Sequence, residues 1–181
     1  EGSREAGGED ALMAHEGARW LDEIRVRVAL ALGSPTLVLA IAEHDAAVDE
    51  AHCLLAALLR ATPFTVADLG VGSVEIGPRR WAKLTRAHLP VPADTYVIGA
   101  APATPLGLKP MVHLYNAERE LLRELAGPLI VVVSSATEKA IRQESMDFFT
   151  WVARSYVLPL TGELAALAKA AEQDPGRMTD G

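Results

Sequence analysis

The chain has 181 residues, half of them hydrophobic and 23% charged, which is enough apolar area for one real core and too much for a disordered chain. Its 17 basic and 24 acidic side chains leave a net charge of -7. The basic ones are scattered instead of forming a stripe with interleaved aromatics, which argues against nucleic-acid binding, and no apolar run is long enough for a membrane span. A single cysteine, Cys53, excludes an internal disulfide and a cysteine-based zinc site; it suits a cytoplasmic protein and reads as a small core residue.

Residues 1–10 are rich in Gly and Glu, lack the basic-then-apolar pattern of a secretory signal, and read as a disordered leader. From 11 to 32, Trp20, Leu21, Ile24, Val28 and Leu32 recur at spacings of mostly three and four, a helix that Gly33 and Pro35 end. Residues 36–42, TLVLAIA, form a nearly continuous apolar run, expected as the central strand covered on both faces. The polar turn Glu43, His44, Asp45 follows. A helix over 48–61 stopped by Pro63 and a strand over 64–69 complete a βαβ unit.

Residues 70–78 read as a turn-rich excursion, 81–88 as a short helix and 95–99 as a strand. Three prolines and a glycine make 100–110 a loop. Met111, Leu114, Leu121, Leu122 and Leu125 mark one face of a long helix closed by Gly127 and Pro128, with Asn116, Arg119, Glu120 and Arg123 as its polar stripe. A second apolar strand, LIVVV at 129–133, precedes a helix over 137–150, a short strand at 155–158 and a C-terminal helix with a flexible tail over 161–181. The alternation predicts a three-layer α/β sandwich: a mostly parallel central sheet of about five strands with helices on both faces, in one domain over 11–160.

In such a sheet, chemistry sits beyond the carboxyl ends of the strands. Glu43, His44 and Asp45 could supply an acid, a base or oxygen ligands there, with Ser134 near by. The more economical reading has Asp45 or Asp49 capping the next helix, His44 solvated, and Ser134 and Ser135 forming a turn and N-cap. The turn contains no glycine and does not match GxxxxGK[ST], so ordinary P-loop hydrolysis is excluded; Gly70 and Gly72 do not complete GxGxxG. A receiver domain would place acidic residues where Glu43 and Asp45 stand, yet no Asp follows the 95–99 strand to accept a phosphoryl group. Ser134 and Ser135 lie outside a GxSxG elbow. His15, His52, His88 and His113 lack metal-ligand spacing. No catalytic residue, metal or cofactor is assigned. Phe148, Phe149, Trp151 and Tyr156 gather aromatic area into a core plug or, less readily, a docking surface.

The segment from Leu114 to Pro159 resembles the second half of STAND-type nucleotide-binding domains of bacterial signalling and defence proteins. The features that carry this are a helix start with Leu114, Tyr115, Asn116, Arg119 and Glu120 in the manner of L-N-x-x-R-E, then a P-L-hydrophobic strand, then Asp147-Phe148-Phe149-Thr150-Trp151 in the manner of D-F-W-x-W. Upstream, residues 43–49 stand where the family has its Walker A loop. The subgroup it looks like is the inactive, P-loop-lacking one. The resemblance implies a non-catalytic regulatory or interaction domain in a larger multidomain protein, coupling sensor and effector modules in bacterial signalling or immunity, with protein partners or self-association. It implies structural or interface roles for Asn116, Arg119, Glu120, Asp147, Phe149 and Trp151. Two other readings compete: a small-molecule or nucleotide-binding α/β enzyme using the Glu43, His44, Asp45 turn, and a degenerate receiver-like domain.

Overall fold

The computed structural model describes residues 19–72, 77–87, 93–100 and 108–173. The leader at 1–10, residues 11–18 of the expected first helix with His15, residues 73–76, residues 88–92 with His88, residues 101–107 and the residues after 173 lie outside that set. A helix over residues 19–30, α1, leads through Gly33, whose φ of 73° suits a residue without a Cβ, into strand β1 (Thr36–Ala42). Then come a 3-10 turn (Asp45–Ala47), α2 (Val48–Arg60), β2 (Val66–Gly72), α3 (Pro78–Ala87), β3 (Thr95–Ala100) and α4 (Leu108–Glu118). A 3-10 segment (Arg119–Glu124), β4 (Pro128–Ser134), α5 (Ser135–Glu144), α6 (Met146–Phe149), β5 (Val152–Val157) and α7 (Thr161–Gln173) complete the order.

The five strands form one sheet in the order β2-β3-β4-β1-β5, and every pairing is parallel. The protein is a three-layer α/β sandwich. β4 holds the middle place and is buried along its whole length, while β1, expected at the centre, lies one position over. The β1-α2-β2 unit is present, and its crossover passes over both β4 and β3. A receiver sheet runs 2-1-3-4-5, with β1 between β2 and β3; here β1 stands between β4 and β5.

Alternate residues of the buried strands point to opposite faces, so two cores form. Val38, Ala40, Ile130 and Val132 meet α1, α2 and α7 through Ile24, Leu55, Leu58 and Leu164. Leu37, Leu39, Val131 and Val133 meet the other helices through Trp81, Tyr115, Ile141 and Phe148. Each such side chain taken fully from water contributes about 1.5–3 kcal/mol before the entropy of ordering is subtracted. α7 packs Leu164, Ala168 and Ala171 into the first core, so the folded domain runs past residue 160.

Several elements differ from the sequence reading for local reasons. The long helix over 111–125 is α4 followed by a 3-10 segment, which breaks the expected continuous polar stripe after Glu118. The helix over 137–150 is two helices separated at Ser145 (φ -126°, ψ 53°), whose hydroxyl bonds the Val112 carbonyl. β2 runs on to Gly72 because its register shifts between Asp68 and Val71, with Gly70 at φ 78°. Cys53 is exposed, not a core residue: α2 turns His52 inward and its neighbour outward.

Candidate functional site

The crossover from β1 leaves on the α2 face, that from β4 on the α5 face, and these two strands are neighbours. Their carboxyl ends therefore frame the switch point at which open α/β sheets place their ligands. Ala42 pairs with Ser134, so the Glu43, His44, Asp45 turn and Ser134 come to the same edge.

The turn is tied to itself. His44 Nδ1 accepts from the Ala47 N–H at 3.1 Å, and the same N–H donates to the His44 carbonyl at 3.0 Å. His44 is thus the cap of the 3-10 turn that leads into α2, and α2 itself, with Ala47 at its N-cap, has no side-chain cap from Asp45 or Asp49. With Nδ1 accepting, the ring proton sits on Nε2, which lies 3.6 Å from Glu43 Oε1. Glu43 Oε1 also accepts from the Thr161 hydroxyl at 3.3 Å, joining the turn to the start of α7. Asp45 is exposed, and Asp49 and Glu50 in the first turn of α2 add negative charge where the helix dipole favours it.

Ser134 is fully buried and already used. Its Oγ accepts from the Thr137 N–H and donates to Thr137 Oγ1, both at 3.1 Å, as the N-cap of α5. Proximity at the sheet edge therefore does not make an acid–base–nucleophile set: the hydroxyl is enclosed, and no hydrogen bond joins it to Glu43, His44 or Asp45 among the described residues. Among those residues no group of three or more His, Cys, Asp or Glu side chains is placed to hold a metal ion. No described helix is long and apolar enough to cross a membrane.

The second group of residues meets at the seam between α4 and α6. Asn116 Oδ1 accepts from the Phe148 N–H at 3.1 Å, which orients α6 against the end of α4. Arg119 donates to the Asn116 carbonyl at 2.6 Å, and its guanidinium lies 3.8 Å from Asp147 and 4.0 Å from Glu120. Glu120 pairs with Arg123 at 3.5 Å, and Arg123 lies over the Trp151 ring at 4.9 Å. Arg142 covers the Phe149 ring at 4.3 Å. Beneath this polar lid, Phe148 packs with Tyr115 (5.1 Å between centroids) and Trp81 (6.1 Å) in tilted contacts. The expected aromatic cluster is thus divided: Phe148 is core, Phe149 and Trp151 are half-buried under arginines, and Tyr156 lies on the opposite face of the sheet.

Sequence reading missed one charged group. His52, almost fully buried on α2, sets Nε2 3.0 Å from Asp68 Oδ1, off the line of a directed hydrogen bond, while Arg60 reaches Asp68 Oδ2 at 3.1 Å. Burial alone would raise the Asp68 carboxyl, but the Gly70 N–H, His52 and Arg60 outweigh it and hold the group below its ordinary range. Burial and the carboxylates of Asp49 and Asp68 push the Cys53 thiol up, against Arg60. An apolar α2 carrying a histidine on its buried face, facing a strand with one aspartate, was the available signal. His113 is exposed.

The chain matches no protein-family model, and no curated protein or solved structure is significantly similar to it.

Proposed function

We propose that this chain is a non-catalytic, STAND-like regulatory or interaction domain, coupling sensor and effector modules of a larger bacterial signalling or conflict protein in the cytoplasm. The observation that carries this reading is the turn after β1. A phosphate at a strand-to-helix turn needs free backbone N–H groups and a positive surround. Here the Ala47 N–H is spent on His44, and Glu43, Asp45, Asp49 and Glu50 surround the turn with carboxylates. Coulomb repulsion and the engagement of the Ala47 N–H act in the same direction against a triphosphate.

The seam supports the family side of the reading. The stretches that resemble the STAND motifs, one around Asn116 and Arg119 and the other from Asp147 to Trp151, are distant in sequence and touch in the fold. Their polar groups are engaged with each other and with the backbone, which fits structural or interface roles.

Thermal unfolding with and without ATP, ADP, GTP and GDP plus magnesium tests the proposal. A ligand at 100 times its dissociation constant stabilises the native state by about 2.7 kcal/mol, an upward shift of roughly 5–10 °C for a chain of this size. No shift is expected with any of the four; a saturable shift with one of them would overturn the proposal.

A further inference from the structure

α1 carries two stripes. Trp20, Leu21, Ile24 and Val28 enter the core, whereas Asp22, Glu23, Val26, Arg27 and Leu30 line an open groove of about 460 Å³ together with Arg154 and Tyr156 of β5. Val26 is 59% exposed and Leu30 78% exposed, an i, i+4 apolar pair on the side turned away from the core. Among the described residues β5 pairs only with β1, which leaves its outer backbone edge without a strand partner beside this groove. Val157, in the same strand, is 74% exposed. Single exposed apolar residues are ordinary, but an apolar pair along an unpaired strand edge needs cover.

We infer that the groove is the interface of a twofold dimer and that its occupant is α1 of a second copy of this chain. The order of charges along the stripe argues for self-pairing. The acids Asp22 and Glu23 come first and Arg27 follows, with Val26 between them and Leu30 beyond. Two such helices laid antiparallel about a twofold axis bring the acids of each copy against Arg27 of the other, twice by symmetry. The same register lets the aliphatic stem of Arg19 cover Leu30 of the other copy. Sliding the helices either way sets acid against acid or Arg27 against Arg27, so the charge pattern selects one register.

Within one chain, Asp22 already leans on Arg25 at 3.1 Å and Glu23 on Arg19 at 3.4 Å, while Arg27 has no ion pair among the described residues. The dimer would give it one. This inference deepens the interaction-domain reading by naming a partner, and its readout, molecular mass, is separate from the ligand shift that tests the turn after β1.

Sedimentation equilibrium of the full chain is the test. The expected result is a reversible dimer of twice the 19.3 kDa chain, with Arg27→Glu weakening it by on the order of 30-fold while circular dichroism, and melting at concentrations where both chains are monomeric, stay unchanged. The double variant Asp22→Arg, Glu23→Arg is likewise weakened, and an equimolar mixture of it with Arg27→Glu regains dimers, because only the mixed pair sets opposite charges face to face. A wild-type chain that stays monomeric up to about 500 µM overturns the inference. So does a dimer that Arg27→Glu leaves equally tight, or a mixture that regains nothing.

Discussion

The turn after β1 and the seam between α4 and α6 hold the two groups of residues on which the functional reading rests, and they are built in opposite ways. The turn is a surface feature held by one histidine cap and one bond to Thr161. The seam lies on a buried aromatic trio, with a side-chain amide fixing the backbone of α6 and arginines covering the outer rings. The comparison teaches that polar residues near a sheet edge need not be reactive groups. At the turn they are available to solvent but not assembled; at the seam they are assembled but already committed to structure.

The largest break in this comparison is at Phe148. Replacing it with alanine leaves a cavity against Trp81 and Tyr115 and is expected to cost about 3–5 kcal/mol, lowering the melting temperature by roughly 6–20 °C in a calorimetric scan. Asn116→Ala comes next. It strips the acceptor from the part-buried Phe148 N–H, and chemical denaturation should give a loss of about 1–3 kcal/mol. A loss below about 0.5 kcal/mol would mean that the amide does not hold the seam.

A pH series sharpens the contrast at the other sheet edge, where α2 is anchored to β2 through His52 and Asp68. The Asp68 carboxyl is held below its unfolded value of about 3.9, so its contribution is complete above that pH and is lost as pH falls through the lower folded value. The stability difference between wild type and Asp68→Asn should therefore shrink as pH falls below about 4. A difference that grows as pH falls below about 4 would contradict this. The smallest effect belongs to the turn: Asp45→Asn changes an exposed side chain with no hydrogen bond or ion pair among the described residues, and melting should move by no more than about 0.5 kcal/mol in free-energy terms.

Much of the fold was legible in the sequence because buried strands announce themselves. TLVLAIA and LIVVV are apolar without alternation, as strands covered on both faces must be, and the intervening helices carry their spacing openly. Strand order was not legible, since the same alternation fits β1 between β2 and β3 as well as between β4 and β5. The break at Ser145 was hidden because a bond from its side chain to a distant carbonyl, not a Gly or Pro, ends the helix. At the candidate site, the acidic turn and Ser134 could be placed by counting to the ends of strands. That His44 spends its ring on the Ala47 N–H depends on backbone angles that no spacing rule gives. The His52–Asp68 contact joins residues of two elements whose packing follows only from the full crossover.

The most direct test of the central claim follows the backbone amides of the turn themselves. In a heteronuclear NMR titration with magnesium and ATP, the amides of residues 43–49 and of Ser135 to Thr137 are expected to keep their positions to millimolar ligand. A saturable displacement of the Ala47 amide together with those at the start of α5 would contradict it, because nucleotide would then be entering the switch point between β1 and β4.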